Sequence, residues 1–351
     1  MSRRQASMPA IAPTIRARSH APEPNLVVLA CLILVAACGP KFRQDQKPVD
    51  PPTPPAGAWT LVALPDTQSI VKDYPEIAGA QIAWIAANAD RLNVKYVVHE
   101  GDITNDSNDE QWAVADRAFR MLDGRVPYAL ALGNHDYPGS GNPNSRDTTR
   151  FDAYFPPGRL QAQPGFAGML DPASGVNAAY RFTANGQDWL ILVLEFGPRD
   201  TVLEWAASVL AAHDTSIAIL VTHAYLFVDG TRFDHVAGKD QYNNPHDYNG
   251  DGQLGSVNDG QEMWDKLIAK SPSIRFVLCG HMHDQARLTS QRPSAPPVHQ
   301  LLADYQNESL GGAGYLRLLT FAADSSVEVK TYSPYLQEFR DDSKDDFVLG
   351  L

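Results

Sequence analysis

The feature that most constrains this chain is a repeated junction, in which a short apolar run gives way at once to a carboxylate, amide or imidazole. Leu61-Val62-Ala63-Leu64 leads into Asp66-Thr67-Gln68, and Tyr96-Val97-Val98 into Gly101-Asp102-Ile103-Thr104-Asn105. Tyr128-Ala129-Leu130-Ala131-Leu132 leads into Gly133-Asn134-His135-Asp136, Ile217-Ala218-Ile219-Leu220-Val221 into His223, and Phe276-Val277-Leu278-Cys279 into Gly280-His281-Met282-His283. Runs of this length read as buried strands, and strand ends are where α/β folds display their chemistry. Five such ends can deliver oxygen and nitrogen donors to one rim.

Helical periodicity fills the intervals. Ile77, Trp84, Ile85 and Leu92 predict a helix over 75–92, stopped by Asn93; further helices are expected over 111–122, 202–212 and 261–270, the last closed by Ser271-Pro272. Helices alternating with strands imply sheets covered on their faces. Asn185-Gly186, between 180–183 and 189–194, is a hairpin signal. After His283 the pattern turns β-rich over 286–289, 298–303, 315–321 and 327–332. Residues 137–175 and 225–259 read as long irregular loops, the first expected to face a substrate.

Length and a 44% hydrophobic composition permit a substantial core in one large domain or two small ones. The first 37 residues read as an export signal: Arg3, Arg4, Arg16 and Arg18 make a basic leader, followed by an apolar run too short to span a bilayer comfortably. Its end, Val35-Ala36-Ala37-Cys38-Gly39, resembles a bacterial lipobox, which implies lipidation at Cys38, export and anchoring on the periplasmic or extracellular face of the cell envelope. An ordinary secretory signal or an uncleaved anchor is the alternative. Residues 38–58, rich in proline, read as a tether, and 59–351 as the folded domain. Beyond the leader the chain carries 25 Lys+Arg against 40 Asp+Glu, a balance of −15 that argues against nucleic acid as a non-specific electrostatic partner. With Cys31 in the leader and Cys38 lipidated, Cys279 has no disulfide partner.

The five junctions, in order from Asp66 to His283, resemble the calcineurin-like metallophosphoesterase superfamily, whose blocks run D-x-H, GD-x-x, GNH-[DE], an isolated His, and GHxH. The resemblance implies a four-layer αββα sandwich, with two mixed β-sheets flanked by helices, and hydrolysis of a phosphate mono- or diester by metal-bound hydroxide at two divalent or transition ions such as Mn, Fe or Zn. It places Asp66, Asp102 and His283 on the first metal and Asp102, Asn134, His223 and His281 on the second. His135 would be the general acid, with Asp136 available to orient it. Three departures stand out: Gln68 replaces the usual His of the first block, Asn105 an Asp that protein phosphatases pair with the catalytic His, and Leu132 an Arg. Gln68 is also the feature that keeps a second reading alive, an exported metal-binding protein of the same fold with little catalytic activity.

Asp247-Tyr248-Asn249-Gly250-Asp251-Gly252-Gln253 matches the first seven positions of a calcium loop, with Asp247, Asn249, Asp251 and Gln253 as donors, although position 12 is Asn258 rather than Glu. The alternative is an ordinary Asn/Asp/Gly-rich turn. His99 reads as core or as support for the metal ligands; His213, His246 and His299 carry no motif. Ala303-Asp304-Tyr305-Gln306 ends a late strand near the flexible Gly311-Gly312-Ala313-Gly314, where pocket lining and plain turn chemistry are both open.

Overall fold

A computed structural model describes residues 49–238 and 240–351. The leader and Cys38 lie outside the described residues. In chain order the first strands are β1 (Trp59–Leu64), β2 (Val94–His99), β3 (Tyr128–Leu130), β4 (Phe166–Asp171), β5 (Ser174–Ala184), β6 (Gln187–Val193) and β7 (Ile217–Val221). They are followed by β8 (Ile274–Cys279), β9 (Gln285–Arg292), β10 (Ala295–Ala303), β11 (Leu316–Phe321), β12 (Ser326–Ser333), β13 (Glu338–Arg340) and β14 (Asp346–Gly350).

Two seven-stranded mixed sheets result. One runs β13-β12-β11-β1-β2-β3 with β14 also on β12; the other runs β4-β5-β6-β7-β8-β10-β9. Their facing sides share a core of Trp59, Leu61, Tyr96, Val98, Trp189, Ile191, Val221, Phe276 and Leu278. Trp59 is its centre, stacked on Phe321 at 4.1 Å between centroids and edge-on to Trp189 at 4.7 Å. The alternate residues of the same strands, such as Val62, Leu64, Val97, Leu190 and Leu192, pack outward against helices. That alternation is why the runs are apolar on every residue: central strands are buried on both faces. The architecture is the expected αββα sandwich.

The helices that matter here are α1 (Gln68–Asp73), α2 (Pro75–Asn88), α3 (Asp109–Phe119), α4 (Thr149–Tyr154), α5 (Pro157–Gln161), α6 (Asp200–Ala212) and α7 (Gly260–Lys266). Asn108 caps α3 by accepting Gln111 N, and Asp259 caps α7 in a capping box with Glu262. The β5–β6 hairpin turns through Asn185 and Gly186, both at positive φ, as a two-residue turn of that twist requires.

Two expectations need correction. Residues 137–175 are not one irregular loop, because α4 and α5 put Phe151, Phe155 and Leu160 into the core, with Phe151 and Phe155 against Trp112 of α3. Three apolar side chains in a polar stretch are too sparse to show a period. Residues ahead of Trp59 also pack on the domain. Pro51 is buried, Val49 N donates to Gln337 O, and Arg91 reaches the Pro51 carbonyl, so residues 49–58 lie along the domain instead of hanging as a tether.

Register explains how the junctions converge. Leu64 pairs with His99 and His99 with Leu130 in parallel; Val221 pairs with Leu278, and Cys279 with Leu302. The carboxyl ends of β1, β2, β3, β7, β8 and β10 therefore come level, and the residues just beyond them form one site. Among the described residues, no helix is long and apolar enough to cross a membrane.

Candidate metal centre

Asp102, Asn134, His223 and His281 form the tight centre. Asp102, His223 and His281 each offer a ligand atom, all within 4.8 Å of one another and all buried. His223 Nε2 lies 3.1 Å from Asn134 Oδ1, 3.2 Å from Asp102 Oδ2 and 3.2 Å from His281 Nδ1.

The far nitrogen of each imidazole is taken. His223 Nδ1 donates to Glu100 O at 3.0 Å and His281 Nε2 to Asn243 O at 2.8 Å. Each backbone carbonyl selects the tautomer whose lone pair points inward, an arrangement that metal-binding histidines generally need. Asn134 is likewise oriented: its Nδ2 donates to Gly141 O at 2.8 Å, leaving Oδ1 toward the cluster. Asp102 Oδ2, Asn134 Oδ1, His223 Nε2 and His281 Nδ1 thus meet in a dry space, where Asp102 draws His223 toward its charged form; a metal ion in place of that proton would satisfy the same four atoms.

Charge tells the same story. Burial pushes the Asp66 carboxyl well above its ordinary range, and Asp304 and Asp102 push it further. Burial of Asp102 acts in the same direction, but the His223 imidazole beside it outweighs that and holds Asp102 well below the usual range. His281 is held down to about 3 by burial and by His223, so it is neutral and able to ligate.

Backbone strain is concentrated at the same place. Asp102 (φ 50°) and His281 (φ 76°) are both left-handed, a conformation that costs non-glycine residues about 1–3 kcal/mol each. Two glycines are needed for closeness: a Cβ on Gly280 would stand 1.9 Å from Asp66 Oδ1, and one on Gly133 2.1 Å from Asp102 Oδ1. These contacts explain why Gly precedes His281 and Asn134.

The remaining donors sit around this centre. Asp66 accepts His281 N through both oxygens, at 3.3 and 3.1 Å. Gln68, at the start of α1, donates Nε2 to Asp102 Oδ2 at 3.3 Å, while its buried Oε1 has no hydrogen-bond partner among the described residues. His283 stands at the rim with 46% of its side chain exposed; the Gln306 amide lies 2.7 Å from its Nε2, and the Asn307 amide lies against Nδ1. The donors and the orphaned Gln68 oxygen fit the divalent ions that the residue pattern implies.

His135 and Asp136 divide differently from expectation. His135 Nδ1 donates to the main-chain carbonyl of Asn105 at 2.7 Å, and its own N–H is held by Asp102 Oδ1. Asp136 does not orient the imidazole. Its carboxylate instead accepts Ile103 N, Thr104 N, the Thr104 hydroxyl and Gly133 N, stapling the two ligand loops together. Residue 105 thus keeps its contact with the histidine through a group that every residue type carries.

His99 lies beneath the site, its Nε2 2.9 Å from Thr67 Oγ1 and its Nδ1 accepting Gly101 N. The 247–258 loop is closed on itself: Asp247 accepts Asn244 N, Asn249 Oδ1 accepts Leu254 N, and Asp251 accepts Gln253 N. Asn258 turns away to Pro198 O and Asp200. The calcium expectation gains no support there. A second group, His246, Asp259 and Glu262, also converges, but its carboxylates cap α7 and Glu262 is paired with His246 at 2.6 Å.

A two-sheet α/β sandwich with a strand-end carboxylate, amide and imidazole centre defines a class of metal-binding phosphoesterases. Over residues 62–285 the chain matches the calcineurin-like phosphoesterase family, and it belongs to that family. The uncharacterized protein YvnB of Bacillus subtilis (strain 168) is 35% identical over 315 residues, covering 85% of this chain and 22% of YvnB. The chain therefore spans about a fifth of that relative's length. Among solved structures it is similar to purple acid phosphatase PPD1 from yellow lupin (Lupinus luteus) seeds, with a TM-score of 0.50 and 14% identity over 86% of this chain and 55% of that one. A dimetal phosphatase from Danio rerio aligns at a TM-score of 0.47 and 14% identity, over 83% and 98%. At these identities the likeness is one of fold.

Proposed function

We propose that the chain hydrolyses a phosphate mono- or diester at a dinuclear metal centre. The observation that carries this reading is the convergence of Asp102 Oδ2, Asn134 Oδ1, His223 Nε2 and His281 Nδ1 in one buried space, with the far nitrogens of both imidazoles and the Asn134 amide held by main-chain carbonyls. Two divalent or transition ions, such as manganese, iron or zinc, would neutralise phosphoryl charge and acidify a water when bound. Asp66, Gln68, Asp102 and His283 would hold one, and Asp102, Asn134, His223 and His281 the other.

The chain's own part in the chemistry is proton delivery and positioning. The Asn105 carbonyl occupies His135 Nδ1, so Nε2 is the atom left to protonate the departing ester oxygen as the P–O bond breaks. This arrangement favours an enzyme over a metal-binding protein of the same fold, which has no use for an oriented imidazole beside the ligands. Hydrolysis of a chromogenic phosphomonoester and a phosphodiester, before and after chelation, tests the proposal; turnover of neither by metal-loaded protein would overturn it.

Export and lipid anchoring at Cys38 form a separate proposal, motivated by the basic leader and the Val35-Ala36-Ala37-Cys38 junction. The Cys38→Ser protein should remain unlipidated and leave the membrane fraction. Mass spectrometry showing it processed and retained like the wild type would refute the anchor.

A further inference from the structure

Three buried side-chain oxygens beside the first metal position have no hydrogen-bond partner among the described residues: Gln68 Oε1, Asp304 Oδ2 and Gln306 Oε1. Of these, only Asp304 Oδ2 belongs to a carboxyl group; Glu100 Oε2, on the strand end that leads to Asp102, is likewise unpartnered but has the Arg317 charge to favour its ionised form. Asp304 follows the last residue of β10, one strand over from Gly280, and is 2% exposed. Its backbone is tied to the segment after His283: Asp304 N donates to Asp284 O at 3.0 Å, and Gln285 Nε2 to Asp304 O at 3.1 Å. One carboxylate oxygen accepts Gln306 N at 2.8 Å; the other lies 3.9 Å from His283 Nε2, too far for a hydrogen bond. A buried carboxylate with an idle oxygen, set among two further carboxylates and without a pairing cation, is a costly arrangement unless something positive completes it.

We propose that Asp304 is an additional ligand of the ion held by Asp66, Gln68 and His283, supplying the donor that Gln68 gives up by replacing an imidazole. The inference rests on the dinuclear reading above. The site is then dominated by oxygen, with Asp66, Asp102, Asp304 and the Gln68 amide against one imidazole. Such a set favours a hard ion such as Mn²⁺ over Zn²⁺. Gln68 and Asp304 form a compensating pair, a neutral ligand on one side offset by a charged one on the other.

The test is metal uptake by the full chain, read by elemental analysis and by the paramagnetic resonance of bound Mn²⁺. Wild type should take up two Mn²⁺ per chain and show the coupled signal of a neighbouring pair. Asp304→Asn, which keeps shape and polarity but removes the charge, should bind the second ion at least about tenfold more weakly, the scale of losing a favourable charge contact, and show an uncoupled signal at one equivalent. Adding Gln68→His to that variant should restore the second ion and shift preference toward Zn²⁺. The same comparison in a His283→Ala background separates ligation from orientation of His283: a ligand still matters there, whereas an orienting group falls silent. Two ions bound with undiminished affinity by Asp304→Asn, or silence in the His283→Ala background, overturns the assignment. If Asp304→Asn does not fold, Gln68→His alone decides, since unchanged Mn²⁺ over Zn²⁺ preference would count against an oxygen-dominated site. Wild type that binds no second ion would instead sink the dinuclear reading itself.

Discussion

Replacing Asp102 with Asn is expected to lower turnover by about 10³-fold, equivalent to about 4 kcal/mol of barrier, while leaving the metal-free protein folded. Two observations set this expectation apart from an ordinary buried-charge deletion. Asp102 has Oδ2 against Gln68 and His223 and Oδ1 on His135 N, so at the proposed dinuclear centre its neutralisation would weaken both ions and loosen His135 at once. It also occupies left-handed backbone at φ 50°, which Asn accepts about as readily as Asp. Because His223 holds the Asp102 carboxyl well below its ordinary range, the charge stabilises the folded chain at neutral pH, and removing it should lower the melting temperature of the stripped protein. Elemental analysis should find fewer than two ions per chain. Undiminished metal content and activity in this variant would mean that Asp102 bridges nothing.

The second large effect is expected from His135→Asn: metal content kept, and turnover reduced by about 10²–10⁴-fold, the usual range for loss of a general acid or base. The size should depend on the leaving group. A nitrophenolate needs little protonation on departure and should show the smallest loss, whereas an alkyl ester, whose alkoxide is a poor leaving group, should show the largest. Because Nδ1 is held by the Asn105 main chain, Asn105→Asp or Asn105→Ala should be far milder than His135→Asn. Equal losses across the leaving-group series would make His135 a positioning group, and loss of metal would make it a ligand.

The side chains that meet at the strand ends, Asp102, Asn134, His223 and His281, were readable in the sequence because strand ends carry a local mark, an apolar run followed by a polar group. What orients those donors was not readable. The carbonyls of Glu100, Asn243 and Asn105 set the ring tautomers of His223, His281 and His135, and a main-chain carbonyl carries no residue-type signature. Asp136 was assigned to His135 by adjacency along the chain, yet its carboxylate bonds backbone N–H groups more than 30 residues away, at Ile103 and Thr104. Asn243 lies in a loop that no period or motif placed near the site. Asp304 was visible only as the end of a late strand; its meaning depends on β10 pairing with β8 in parallel, which brings it level with the Gly280-His281 junction. The same limit hid α4 and α5, whose burial depends on Trp112 across the core and not on a pattern of their own.

The most direct test of the account is a titration of metal-stripped protein with Mn²⁺ while following hydrolysis of a chromogenic phosphodiester and, in parallel, ion uptake. No turnover is expected without metal, little at the first equivalent, and full activity as the second equivalent binds. Turnover that is unchanged by stripping, or that is complete at one ion per chain, would contradict the proposal.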